Sequence, residues 1–291
     1  MKQLIAFLVL INLAACNSNN DKADGYGNFE ATEVTISAEA NGKINYLQIE
    51  EGSTLEPNTQ VGLIDTIQLY LNKQQLIATK TTIASKSANV LSQKAIFTEQ
   101  LKTTLMEQKR IQNMFAENAA TQRQVDEING KVNVLNEQIK SVITQDAPIS
   151  NEVKSIDIQI KKINDQIEKS KIINPIKGTV LAKYTEPNEV TSFGKPLYKI
   201  ADISEMTLRV FIGEKQLSQI KVGQKVTVRI DSQEGMKSAP GTVSWIASSA
   251  EFTPKIIQTK EERANLVYAV KVRVKNDGSL KIGMPAEMWI K

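Results

Sequence analysis

Between Ile67 and Lys171 the chain has one glycine, Gly130, and one proline, Pro148, in a segment rich in Gln, Lys, Glu, Leu and Ile. So long a run without breakers is committed to helix. Its second half fixes the kind of helix. Val125, Ile128, Val132, Leu135, Ile139 and Val142 step by three and four in alternation, and Val153, Ile156, Ile160, Ile163 and Ile167 continue the alternation. Across Asp146-Ala147-Pro148 the phase survives, because Val142, Ile149, Ile156 and Ile163 are each seven apart. A looped-out insertion would lose that phase, so the spacing predicts a helix that continues past a kink at Pro148. A heptad sustained this long specifies a coiled coil.

The first half, roughly Ile67 to Glu117, is less regular. Leu69, Leu76, Ile83, Val90 and Phe97 form one seven-residue series. The segment divides near Asn118-Ala119-Ala120-Thr121, where Thr121 is a candidate N-cap for the second helix. A short connection makes the two arms antiparallel neighbours. Arms of about 50 residues would reach roughly 75 Å at 1.5 Å per residue.

Both flanks of this rod read as strands. Residues 30–65 alternate and turn often, through Val34, Ile36, Gly42, Ile44, Leu47, Gly52 and Val61. After Asn174-Pro175 a similar pattern returns. Gly178-Thr-Val180, Val190, Leu197 and Ile200-Ala-Asp202 repeat in order the features of Gly42-Lys-Ile44, Leu55, Val61, Ile64 and Asp65. Two half-repeats around a helical hairpin predict one β domain split by an insertion. Residues 203–291 alternate again, with Gly223, Gly235, Gly241 and Gly283 at turns, and predict a small β-barrel. The fold class is therefore α+β and elongated.

The first sixteen residues read MKQLIAFLVLINLAAC. Lys2 precedes an apolar run too short to span a bilayer, which predicts a signal peptide over residues 1–15. Leu13-Ala14-Ala15-Cys16 resembles the bacterial lipobox, whose cysteine is diacylated and becomes the mature N-terminus. Residues 16–29 then form the lipidated N-terminus and a polar tether. Cys16 is the only cysteine and there is no histidine, so an intramolecular disulfide is impossible and the commonest general base is missing. The net charge of +4 comes from interspersed charges of both signs, which argues against a nucleic-acid surface. Glu50-Glu51 and Glu261-Glu262 are adjacent acids at turns and surfaces, not an acid–base couple. No Gly-x-Ser-x-Gly is present. An enzyme is not expected, and neither is a cofactor or metal beyond the acyl lipid on Cys16.

A split β domain, a long inserted hairpin and a C-terminal barrel together resemble the hemolysin-D-type membrane fusion proteins, the periplasmic adaptors of tripartite pumps. The segments that carry the likeness are NGKINYLQIEEGSTLEPNTQVGLID and INPIKGTVLAKYTEPNEVTSFGKPLYKIAD. The resemblance implies a lipoyl-like domain over 30–65 plus 172–202, a coiled-coil hairpin over 66–171 and a barrel over 203–291. No lysine stands at the swinging-arm turn, since the hairpin follows Asp65 there, so the domain would carry no lipoate or biotin. The hairpin tip of the family often bears an Arg, a Leu four residues later and a Ser seven beyond. At that spacing this chain has Arg110, Met114 and Thr121, with Asp126 following.

Those residues would dock on an outer-membrane channel, while the anchor holds the protein in the periplasm at the inner membrane. The tail from Phe252-Thr-Pro254 through Gln258 to Arg263 and Gly283-Met-Pro285 looks like that of members partnering ABC-type transporters. A homo-oligomeric ring is implied. The alternatives are the adaptor of a proton-driven exporter and an envelope scaffold lipoprotein without a transport role.

Overall fold

The computed structural model describes residues 22–232, 235–252 and 266–290. Cys16, the signal peptide and most of the Phe252–Arg263 motif lie outside the described residues.

The chain first forms β1 (Gly25–Glu30), β2 (Glu33–Ser37), β3 (Gly42–Leu47), β4 (Thr54–Leu55) and β5 (Thr59–Ile64). Two helices follow, α1 (Ile67–Ala116) and α2 (Gln122–Lys169). After them come β6 (Lys171–Asn174), β7 (Gly178–Lys183), β8 (Val190–Thr191), β9 (Pro196–Ala201) and β10 (Glu205–Ile212). The short helix α3 (Glu214–Leu217) leads to β11 (Lys225–Ser232), β12 (Gly235–Ile246), β13 (Glu251–Phe252), β14 (Leu266–Lys275) and β15 (Pro285–Trp289).

The split β domain is two four-stranded sheets, ordered β2-β9-β7-β4 and β6-β5-β3-β8. Each sheet draws strands from before and after the hairpin. Neither half could therefore bury its apolar face alone. Ile44, Ile64, Val180, Leu197 and Ile200 form the shared core. Asn174 is buried in it with its polar atoms engaged: the amide donates to the Glu56 and Ile176 carbonyls at 2.8 and 2.6 Å, and Oδ1 accepts from the Tyr198 hydroxyl at 3.2 Å. That satisfaction is what makes a buried amide tolerable.

The hairpin grows from this domain at one place. β5 and β6 pair antiparallel, with Thr59 opposite Asn174 and Leu63 opposite Lys171. The Ile64 amide donates to the Ser170 carbonyl at 2.8 Å, beside the helix ends. Asp65 opens α1 by accepting the Ile67 amide at 2.9 Å, a favourable carboxylate at a helix N-terminus. At 50 and 48 residues the arms extend roughly 75 Å.

Helix α2 buries Ile128, Val132, Val142, Ile156 and Ile163, the heptad series read from the sequence. It runs unbroken through Pro148. The irregularity of α1 has a structural cause. Its apolar series contributes buried Ile83 and Val90, while the second series on the same seam is Lys73, Lys80, Ser87, Lys94, Leu101 and Gln108. Three of these polar residues are tied across the hairpin: Lys80 to Asp157 at 2.6 Å, Ser87 to Asp146 at 2.6 Å and Gln108 to Asn129 at 2.8 Å. Half-exposed pairs of this kind add no more than about 1 kcal/mol each, but they penalise any slipped register.

The second β unit is a closed barrel of six strands in the order β10-β1-β15-β11-β12-β14, with β10 and β14 also paired and β13 at the edge of β14. Strand β1 corrects the sequence-based expectation of a tether running to residue 29. Residues 25–30 are a barrel strand, hydrogen-bonded to both β10 and β15. GYGNFE lacks an apolar alternation, because Gly27 must lie against β10: a Cβ there would sit 1.8 Å from the Arg209 carbonyl oxygen. Phe29 alone carries its core contact, among Leu208, Val210, Val228, Val272 and Met288.

Burial in the split domain pushes the Tyr198 hydroxyl up to about 12. The folded form then holds its proton where the unfolded chain, ionising near pH 10, has lost it. This stabilisation is complete below pH 10 and is lost as pH rises towards 12. Denaturant unfolding should show stability falling by roughly 2 kcal/mol over that window, and Tyr198→Phe should flatten this component of the slope. An equal slope in both proteins would assign it to other groups.

Candidate functional site: the hairpin tip

Five residues close the hairpin, and both helix ends are capped by their own sequence. At the end of α1 the Asn118 amide donates to the Phe115 carbonyl at 3.0 Å and the Ala119 amide to the Met114 carbonyl at 2.7 Å. With Asn118 at φ 56°, this is the paired bonding of a Schellman turn with asparagine in the left-handed position. Three residues on, Thr121 and Gln124 form a capping box. The Thr121 side chain accepts the Gln124 amide, and Gln124 Oε1 accepts from the Thr121 amide at 2.8 Å. The tip is thus built to stop one helix and start another with little free chain.

The four residues singled out in the sequence lie around this turn with different degrees of freedom. Arg110 stands two turns back on α1, exposed, its guanidinium paired with Glu107. Met114 is 41% exposed on the last turn of α1. Thr121 is exposed, but its hydroxyl already donates to Gln124 Oε1 at 3.0 Å as part of the cap. Asp126 is exposed on the second turn of α2 and accepts from Gln122 at 2.9 Å. The tip offers an exchangeable guanidinium, an adaptable thioether and a ring of short polar contacts. Such a set can bind another protein surface, and has no nucleophile–base pair.

Two further residues join this surface. Phe115 is 40% exposed, an aromatic ring at the far end of the molecule. It continues the seam series of Ser87, Leu101 and Gln108, so periodicity alone assigns it to the core. Helix α2 starts only at Gln122, leaving no turn to cover it. Arg123 pairs with Glu127 at 3.0 Å on the solvent side and adds a second guanidinium near the turn. Phe115 could be found in the sequence by asking which seam positions outrun the partner helix; nothing in the periodicity points to Arg123.

Among the described residues no helix is long and apolar enough to cross a membrane, and no cluster of His, Cys, Asp or Glu could hold a metal ion.

Asn118 gives a direct check on the tip geometry. Asn118→Gly should leave hairpin stability unchanged or slightly raised, since glycine adopts this conformation freely. Asn118→Val should cost about 1–2 kcal/mol through the left-handed backbone. Helical circular dichroism on heating would read both; a harmless valine would mean the turn is not left-handed there.

No family model matches the chain. It is 25% identical over 290 residues to the "UPF0194 membrane protein in asrC 5'region" of Acidithiobacillus ferridurans, covering 91% of this chain and 86% of that one. A UPF0194 membrane protein of Yersinia pseudotuberculosis serotype O:3 is 23% identical over 325 residues, covering 98% and 97%. Among solved structures, MacA from Actinobacillus actinomycetemcomitans superposes with a TM-score of 0.53 at 19% identity, covering 91% of this chain and 76% of that one. A MacA–MexA chimera with the Pseudomonas aeruginosa MexA α-hairpin domain gives a TM-score of 0.51 at 20% identity, covering 92% and 80%. The hairpin, the split β domain and the closed barrel together have the fold of the membrane fusion proteins, the family that the sequence resembles.

Proposed function

We propose that the chain is a periplasmic adaptor that joins an inner-membrane transporter, of the ABC type, to an outer-membrane channel for efflux or secretion, and is not an enzyme. The observation that carries this reading is the capped hairpin of roughly 75 Å, bearing an exposed aromatic ring, a thioether and exposed guanidinium groups at the far end. A rod of that form suits bridging across a gap. Lipidation of Cys16 would hold the barrel end at the inner membrane, leaving the tip to dock on the channel through Arg110, Met114, Phe115 and the turn beside Thr121.

The adaptor works as a homo-oligomeric ring in this reading. Along α1, Tyr70, Ile77, Leu91 and Leu105 are all exposed and are separated by multiples of seven residues. A two-helix hairpin has only one seam, so such a stripe lies outside it. Neighbouring hairpins packed side by side would cover it, giving a tube through which substrate passes.

Two experiments test separate parts of this. Cys16→Ser should abolish incorporation of labelled fatty acid and release the protein from the membrane fraction; retention without label would refute the anchor. A photo-crosslinking residue at position 115 should capture an outer-membrane protein, and the Arg110→Asp, Thr121→Asp double variant should remove that product and impair export. Aspartate at 121 remains a good N-cap, so the hairpin itself should survive. Crosslinks confined to inner-membrane or cell-wall components would favour a scaffold without transport function.

A further inference from the structure

The two ends of the barrel differ. Strand register places the start of β1, the end of β10, the end of β12, the starts of β11 and β14 and the end of β15 at one end: Tyr26 pairs with Phe211, Gly25 with Met288, Trp245 with Lys271 and Thr227 with Trp289. Four large apolar side chains at this end face solvent. Tyr26, Val222, Trp245 and Leu266 are between 43% and 64% exposed. Both tryptophans of the chain are here, each under a cation: Arg229 lies 4.0 Å from the Trp289 ring and Lys271 5.5 Å from the Trp245 ring.

Three described acids at this end are engaged with the protein: Asp24 accepts the Ile290 amide at 2.7 Å, Glu287 accepts from the Trp289 indole at 3.1 Å and Glu251 pairs with Arg209 at 3.1 Å. Glu214 sits beside Lys215 in α3. Lys221, Lys225, Lys271 and Arg229 have no carboxylate within 4.0 Å among the described residues. Lys221 precedes Val222 on the loop before β11, and Lys225 is the first residue of that strand. At the opposite end Lys237 is paired with Asp277 at 2.7 Å. Lys275 and Lys281 there are also without a carboxylate within 4.0 Å among the described residues, and Met236 and Ile282 are exposed. What sets the first end apart is its exposed aromatic rings, Tyr26 and Trp245.

We infer that this end of the barrel is a docking surface for an anionic phospholipid bilayer: Tyr26, Val222, Trp245 and Leu266 enter the headgroup layer while Lys221, Lys225, Lys271 and Arg229 meet lipid phosphates. Aromatic rings with a polar edge, next to unpaired cations, match the chemistry of a membrane interface. Cations near an anionic surface are attracted to it, and four on one face would favour a single orientation of a tethered domain. Position agrees with charge. Gly25 is nine residues after Cys16, a tether of at most about 30 Å, and the chain enters the barrel at this same end.

The inference rests on the anchored-adaptor reading only for which bilayer lies near. Lipid would add a second, weak attachment to the acyl chain, fixing the barrel axis relative to the membrane.

Because both tryptophans lie on the surface, intrinsic fluorescence reads it directly. The full chain is mixed with vesicles of phosphatidylcholine alone or with added phosphatidylglycerol. Emission should move to shorter wavelength, and brominated lipid should quench it, only with the anionic vesicles, with reversal at high salt. The Lys221→Glu, Lys225→Glu, Lys271→Glu variant should lose the shift while keeping its circular dichroism and melting temperature. Val222→Asp, remote from the barrel core, should weaken it alone. The same emission in both vesicle types, or an unaltered shift in both variants, overturns the proposal. A shift confined to vesicles carrying inner-membrane protein would make the surface a protein interface and also overturn it. Repeating the comparison with Cys16→Ser separates the two readings: loss of lipid label with the anionic shift retained supports the surface independently of the anchor.

Discussion

The pairing of β5 with β6 is the constraint on which the rest of the architecture depends. These strands are separated in sequence by the whole hairpin, yet they lie side by side with Leu63 opposite Lys171. Their antiparallel pairing sets the spacing and opposite direction of the two helices at the base. The capped turn at Asn118–Thr121 does the same at the tip. A two-helix coiled coil has one thin seam, and its long arms would splay if either end were loose. Closing that base costs the entropy of a very long loop, a cost that grows only slowly with length and is offset as helix and seam form. The shared core of the split domain, with Ile64 and Ile172 beside the junction, supplies the rest.

Within the rod, stability and register come from different residues. The isoleucines and valines of α2 bury apolar area, which is insensitive to a shift of one heptad because the pattern repeats every seven residues. Lys80–Asp157, Ser87–Asp146 and Gln108–Asn129 do not repeat in that way. A slip of one heptad would break these three bonds and set Asn129 against Leu101 or Phe115, so the polar positions favour one alignment. The same polar series explains why α1 has a weak apolar signature in spite of being as long as α2.

What the sequence disclosed follows from which interactions are periodic. The seam of α2 was legible from Val125 to Ile167 because every seventh residue meets the same environment, and phase continuity carried the helix correctly through Pro148. Half-repeats around the insertion disclosed the split domain, since both halves contribute equivalent strands. Strand β1 was hidden. Its six residues have one core side chain, Phe29, and Gly27 is there for a close approach to Arg209 that only the folded partner reveals. At the tip, Arg110, Met114, Thr121 and Asp126 were singled out through the resemblance to the family, not by periodicity. That the Thr121 hydroxyl would be occupied by Gln124, and that Phe115 would be left uncovered, depended on where α2 begins.

Strand β1 also changes how the parts are coupled. The barrel takes one strand from the start of the chain and the others from its end, so the split domain and hairpin are inserted between barrel segments as the helices are inserted between β5 and β6. The nesting makes the chain leave and re-enter the barrel through two connections, Glu30 to Glu33 and Ala201 to Glu205. Both are short, and β2 and β9, which receive them, are themselves paired from Glu33 to Ser37. Two adjacent short connections resist relative rotation better than one flexible linker would. A restraint applied at the N-terminal end of β1, such as an acyl chain and a lipid surface would supply, is therefore passed to the barrel directly and to the base of the hairpin through two neighbouring strands.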